Sequence, residues 1–264
     1  MRHVLVTGAA GGIGRAIAAR FAAQGATLTL ADRERAPLDD LAALPTATGV
    51  LTADLTAPDT PADLVRRAWA DQGPVDVLVN AAGVYPSLDM AELTAQAWDR
   101  LFAVNLRAPV LATAAYARLA AERGEGGTVV NISSGSALRA RPGGGPYASS
   151  KAALEMATRA AALELGAHGI RVNAVSPGFV PVDSACNPVS EEYAAAIGAN
   201  PLGRQGAPED IARAVCWIAG PEAAWITGEI LRVDGGSSTG ALHLPRIWPP
   251  ATPAPADATK GHPA

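Results

Sequence analysis

Apolar and polar positions along the chain follow two alternating periods. Short aliphatic and β-branched runs recur at 3–7, 27–31, 49–53, 75–79, 128–132, 170–175 and 229–233, each the length of a strand. Between them lie stretches with helical spacing, at 13–24, 61–71, 95–122, 147–165 and 210–219. The run 75–79 is apolar throughout its valines and leucine, the mark of a strand covered on both faces. Strands alternating with helices predict an α/β domain built on a parallel sheet with right-handed crossovers. The pattern lapses twice. Proline, glycine and small residues fill 181–206 around one weak helix at 190–197, so a lid or binding loop is expected there. From about Leu242 the chain turns Pro/Ala-rich, which sets a folded domain over 1–240 and an extended tail over 241–264. Leu244, Ile247 and Trp248 in that tail are available to dock on a neighbouring subunit.

Composition narrows the classes. A chain of 264 residues, 49% hydrophobic, can bury one large core. No run approaches the ~18 apolar residues of a membrane span. A strand begins almost at the first residue, so no secretory leader is expected. A net charge of −4 with scattered signs argues against nucleic acid or an anionic membrane as partner. Cys186 and Cys216 make no disulfide framework, and a reducing cytoplasm is the expected setting. His3, His168, His243 and His262 are too dispersed for a metal site, so no metal is expected.

Chemistry gathers at the ends of the strands. The first runs into Thr7-Gly-Ala-Ala-Gly-Gly-Ile-Gly14 and then directly into a helix. Gly8, Gly12, Ile13 and Gly14 thus sit where free N–H groups and the helix dipole favour an anion such as a pyrophosphate. Asp32 ends the second strand, eighteen residues after Gly14. An acidic residue there accepts hydrogen bonds from ribose hydroxyls and repels a 2′-phosphate, favouring NAD over NADP. Arg33 and Arg15 are the cations that could reverse this preference, whereas Gly11 offers no phosphate clamp. Asp54 and Leu55 follow the third strand, either as an adenine contact or with Asp54 as a helix N-cap. Asn105 puts an amide into an apolar helix face, bonded to nearby backbone or marking a kink that holds a relay water.

The chain is organised around Asn131-Ile-Ser-Ser-Gly135 and Tyr147-Ala-Ser-Ser-Lys151. Tyr147 and Lys151 are one helical turn apart, and the ammonium should lower a phenol pKa of about 10. A Tyr–Lys pair at this spacing is also an ordinary surface feature. Of 21 basic residues, however, only Lys151 and Lys260 are lysines, and Lys260 lies in the tail.

Together these residues resemble the short-chain dehydrogenase/reductase family over roughly 3–240. The residues that carry the resemblance are Thr7 to Gly14, Asp54, Asn80 to Gly83, Asn105, Ser134 with Tyr147 and Lys151, and Pro177-Gly178. The resemblance implies a Rossmann-type, doubly wound, seven-stranded parallel sheet with helices on both faces, and a homodimer or homotetramer built on outer helices. It implies Tyr147 as general acid/base, Lys151 tuning it and holding the nicotinamide ribose, Ser134 orienting the substrate oxygen, and Asn105 holding the relay water. Hydride then passes between the substrate carbon and the nicotinamide. Asn80, Ala81, Gly83, Pro177, Gly178 and Val180 join the cofactor set. Tyr85, Leu138 and Phe179 join the substrate set, with Val84 and Pro86 lining the pocket. Ser134 is preferred to Ser133 by its spacing from Tyr147, since neighbours in a strand point to opposite faces. Two positions depart from the family pattern: Ala81 stands where a second Asn is usual, and Val182 where a threonine often contacts the carboxamide. Arg139 and Arg141 are either solvated loop charges or an anchor for an anionic substrate. The expected activity is NAD-dependent interconversion of a secondary alcohol and its ketone. The alternatives are an NADP-dependent, 3-oxoacyl-type carbonyl reductase and a cofactor-sensing protein without turnover.

Overall fold

A computed structural model describes residues 2–41, 44, 46–182, 191–242 and 244. The strands are β1 (His3–Thr7), β2 (Thr27–Asp32), β3 (Ala47–Thr52), β4 (Val77–Asn80), β5 (Gly127–Ile132), β6 (Ile170–Pro177) and β7 (Ile230–Val233). The helices are α1 (Gly12–Ala23), α2 (Ala36–Leu41), α3 (Thr60–Gln72), α4 (Ala95–Phe102), α5 (Ala108–Arg123), α6 (Gly145–Leu165), α7 (Glu191–Gly198) and α8 (Pro208–Ala219). All strand pairs are parallel, in the order β3-β2-β1-β4-β5-β6-β7. The order reverses between β1 and β4, which opens a crevice at their C-terminal ends.

Side-chain alternation divides the core into two layers. Val4 and Val6 of β1 and Val77 and Val79 of β4 join Ile17 and Phe21 of α1 and Ile211 and Val215 of α8 on one face. Leu5 and Leu78 point the other way, among Leu64 and Val65 of α3 and Ala112 and Tyr116 of α5. Each fully buried aliphatic side chain contributes about 1.5–3 kcal/mol of transfer free energy.

The elements depart from expectation in physically legible ways. The stretch expected as one helix over 95–122 is broken by a π turn, Ala103–Arg107, in which the Ala108 N–H donates to the Ala103 carbonyl. Pro109 supplies the reason, because it has no N–H to return to Asn105 four residues earlier. The short helix α2 was not expected; its six residues are too few to show a period. β4 starts at Val77 because Asp76 is committed to His3: its backbone N–H donates to the His3 carbonyl and its carboxylate accepts from the His3 N–H. Cys186, Ile247, Trp248, His243, His262 and Lys260 lie outside the described residues, as does the part of the expected lid at 183–190. Among the described residues no helix is long and apolar enough to cross a membrane.

Candidate functional site

Because the strands are parallel, their C-terminal ends share one edge, and the chain places its polar residues there. Gly8 leaves β1 with φ +66, and a Cβ on it would fall 2.6 Å from the Ala82 backbone. The glycine turn therefore packs directly on the chain leaving β4, and the Ala82 N–H donates to Thr7 Oγ1 at 3.3 Å. A Cβ on Gly14 would lie 2.0 Å from the Gly8 carbonyl oxygen, so no other residue fits this closure. α1 begins here with no acidic residue in its first turn and no side-chain cap. The first-turn N–H groups and the positive end of the dipole are thus left for an anion. Val182 lies over the same turn, its Cγ1 2.7 Å from where a Gly12 Cβ would be.

Asp32 ends β2 with Oδ2 accepting from the Ala10 N–H at 3.0 Å and Oδ1 from the Arg33 N–H at 2.7 Å. The Arg33 guanidinium is turned to Glu34. Asp54 does not cap a helix, since α3 starts only at Thr60. It closes its own turn instead, accepting from Thr56 N–H and Oγ1, and those bonds hold its carboxyl below the usual range. Leu55 packs on the second core layer. The Asn80 side chain is turned into the protein, donating to Asn131 Oδ1 at 2.9 Å, while Asn131 donates to Thr158 Oγ1 on α6 at 2.9 Å. Gly178 is pinned beside Asp234, Phe179 accepts from the Gly206 N–H, and Val180 packs against Gly206.

The serines separate as the strand's alternation requires. Ser133 is buried and donates to Glu155 Oε1 at 2.8 Å. Ser134 lies beside Tyr147, close enough to favour its ionised form, and its Oγ accepts from the Ser136 N–H. Lys151, only 4% exposed, donates to the Ile132 carbonyl at 2.7 Å. Its Nζ is 5.9 Å from the Tyr147 ring centroid. A Cβ on Gly83 would lie 3.6 Å from both Lys151 Nζ and Asn105 Oδ1, so these three residues meet. Asn105 Oδ1 accepts from the Val84 N–H, and Nδ2 donates to the Val84 carbonyl and to Ser150 Oγ. Tyr85 meets Tyr147 edge-on, with centroids 6.2 Å apart. Leu138 stands at the end of the turn after β5, 45% exposed.

The expected electrostatics need correcting. Burial raises the Tyr147 phenol above its ordinary value, and the lowering influences are the neighbouring Ser134 hydroxyl and the charge of Arg141. Lys151 is itself pushed down to about 8 by burial. The ammonium points at the end of β5 rather than at the phenol, and desolvation of both groups outweighs their mutual attraction. Spacing alone also missed Ser150 as the partner of Asn105, and Tyr193 of α7. Arg141 lies over the Tyr193 ring, 5.3 Å from its centroid. Ser150 had one signal: it directly precedes Lys151 on the same helical turn. Tyr193 had none, because it lies in the stretch where the periodicity fails.

Comparison with known proteins agrees with this geometry. A family model described as enoyl-(acyl carrier protein) reductase matches residues 8–238. The 3-oxoacyl-(acyl-carrier-protein) reductase FabG of Thermotoga maritima is 33% identical over 236 residues, covering 88% of this chain and 96% of that one. The solved structure of 4-hydroxyisoleucine dehydrogenase complexed with NADH superposes with a TM-score of 0.83 at 28% identity, covering 91% of this chain and 100% of that one. A blue fluorescent protein from a metagenomic library, in complex with NADPH, superposes with a TM-score of 0.80 at 35% identity, covering 90% and 98%. With the same ordered motifs on the same sheet edge, the chain belongs to the short-chain dehydrogenase/reductase family, oxidoreductases that act on CH–OH groups with NAD(P).

Proposed function

We propose that this chain is an NAD-dependent oxidoreductase interconverting a secondary alcohol and its ketone, with Tyr147 as general acid/base. The observation that carries the reading is that Tyr147 stands one helical turn from buried Lys151, which donates to the Ile132 carbonyl at the end of the strand that leads to Ser134, on the same sheet edge as the glycine turn. A dinucleotide fits this edge: the first turn of α1 has no side-chain cap and no competing carboxylate, so its N–H groups are left for an anion. Gly8, Gly12, Ile13 and Gly14 would hold the pyrophosphate, and Asp32 the ribose hydroxyls. Asp54, Leu55 and the backbone of 80–83 and 177–180 would line the remainder. When bound, the nicotinamide supplies or accepts the hydride.

The protein's part is placement and proton handling. Ser134 holds the substrate oxygen against the phenol, and Tyr147 gives or takes the proton there. Lys151, one turn away and held by the Ile132 carbonyl, would hold the nicotinamide ribose beside that phenol. Asn105 positions rather than touches: its amide is committed to Val84 and Ser150, so any water-holding role falls to the main chain of the π turn.

NAD is favoured over NADP because Asp32 sets a carboxylate where a 2′-phosphate would lie, and the neighbouring Arg33 is paired with Glu34. A second reading, an NADP-dependent 3-oxoacyl-type carbonyl reductase, draws on the similarity to FabG. Two further proposals complete the picture. A homodimer or homotetramer would use the apolar groove of Phe102, Leu106, Val110, Met156 and Ala157 on the outer helices. A cytoplasmic setting fits Cys216, whose thiol burial pushes up to about 12 and leaves unreactive.

Tyr147→Phe is expected to lower kcat roughly 10²–10⁴-fold. NADH affinity, read by fluorescence titration, should move by a small factor only. Wild-type kcat/KM should favour NAD over NADP by about tenfold or more, a margin that Asp32→Ala narrows. Persistent turnover in the phenylalanine variant would remove Tyr147 from the chemistry, and a preference for NADP would support the second reading.

A further inference from the structure

The wall beside Tyr147 holds a cation whose role goes beyond its influence on the phenol. Arg141 is half-buried in the loop between Ser134 and α6. Its stem crosses Gly144, where a Cβ would fall 2.9 Å from Arg141 Cγ and 3.3 Å from Nε. The Gly144 N–H returns to the Arg141 carbonyl at 3.0 Å, and the Leu88 N–H anchors the same loop through the Gly143 carbonyl at 2.8 Å. The guanidinium lies over the Tyr193 ring, 5.3 Å from its centroid. Its charge reaches the phenols of both Tyr147 and Tyr193 and favours their ionised forms.

Seven other arginines have polar partners of their own, of a kind that Arg141 lacks among the described residues. Arg33, Arg35, Arg66, Arg123, Arg204 and Arg213 each pair with a carboxylate, and Arg139 donates to the Ser237 carbonyl at 3.1 Å. Among the described residues no carboxylate lies within ion-pair distance of Arg141, and no hydrogen bond accepts from its guanidinium. A planar fork seated over an aromatic ring, without an anion of its own, is suited to two coplanar oxygens. A phosphate dianion would call for a second cation, and Lys151 and Arg139 are committed to the Ile132 and Ser237 carbonyls.

We propose that Arg141, seated on Tyr193, is a specificity site for a carboxylate on the substrate, so that the alcohol or ketone turned over is a hydroxy acid or its oxo acid. The proposal rests on the redox reading above and adds the substrate's charge to it.

The test uses the full chain with NADH and two oxo acids, acetoacetate and levulinate, each beside its methyl ester. Turnover of the esters reports the redox chemistry, and binding of the acids to the enzyme–NADH complex, read by nicotinamide fluorescence, reports the anion site. Wild type is expected to favour acid over ester in kcat/KM. Arg141→Ala should lower the acid's kcat/KM and binding roughly ten- to hundredfold, far more than the ester's kcat/KM. Arg141→Lys, which keeps the charge without the fork, should recover part of the loss. Equal treatment of acid and ester by wild type, or acid preference surviving in Arg141→Ala, overturns the anion site and leaves the oxidoreductase standing. Acid binding that depends on Arg141 while neither acid nor ester is reduced supports the anion site and counts against the redox assignment. Neither binding nor turnover with any of the four compounds overturns the proposal.

Discussion

Lys151 keeps its ammonium where water scarcely reaches, with one carbonyl as its hydrogen-bond acceptor. Its folded pKa of about 8 lies below the ordinary 10.5, so between those values the unfolded chain binds the extra proton. Stability therefore rises with pH across that window, and below about pH 8 the full desolvation penalty is present. The difference corresponds to something on the order of 3 kcal/mol. Denaturant unfolding of wild type and Lys151→Met, compared at neutral pH and in the upper part of that window, should show wild type gaining on the variant as pH rises. A difference that stays flat would mean the ammonium is hydrated. The residues at this scale were legible where spacing maps onto geometry: Ser134 at a strand's end, Tyr147 and Lys151 on one turn. The direction of the phenol's shift was not legible, because it depends on how deeply the pair is buried, and spacing is silent on depth.

At the scale of elements, the π turn 103–107 is where local chemistry and tertiary purpose meet. Pro109 withdraws a helical donor, and Asn105, 0% exposed, spends its amide on both backbone groups of Val84 and on Ser150. The turn thereby fastens the segment after β4 to the helix that carries Tyr147 and Lys151. Asn105→Leu strands the Val84 N–H and carbonyl without partners. A loss of about 2–4 kcal/mol is expected from thermal or urea unfolding, together with a fall in kcat larger than any change in KM. Stability unchanged within error would mean that water replaces the amide. A buried asparagine flagged this place in the sequence, but its partners come from segments 21 and 45 residues away, which no local pattern reveals. The short α2 and the region around α7 were unreadable for another reason. They have too few residues or too many Gly and Pro to express any period.

For the whole molecule, the topology sets the site before any side chain does. Parallel strands send their loops to one edge, and the reversal of order beside β1 leaves that edge open. The parallel sheet followed from the alternation of strands and helices, and its doubly wound order from the family resemblance. The groove on the outer helices, with Val110 39% and Met156 62% exposed, is expected to bury itself against a second copy. Light scattering should give a mass of two or four chains, and Met156→Asp or Val110→Asp should shift it downward; a monomeric wild type would contradict the assembly.

One feature of the core bears on how such a chain comes into being. Ile17 and Phe21 near the start are sealed by Ile211 and Val215 near the end, nearly two hundred residues later. A nascent polypeptide still lacking α8 carries that greasy stripe uncovered while the ribosome works through the intervening length. The glycine turn at the head of α1 thus gains its covering helix long after its own sequence is made. Helpers that shield sticky surfaces during synthesis would find their natural target in these opening two dozen residues.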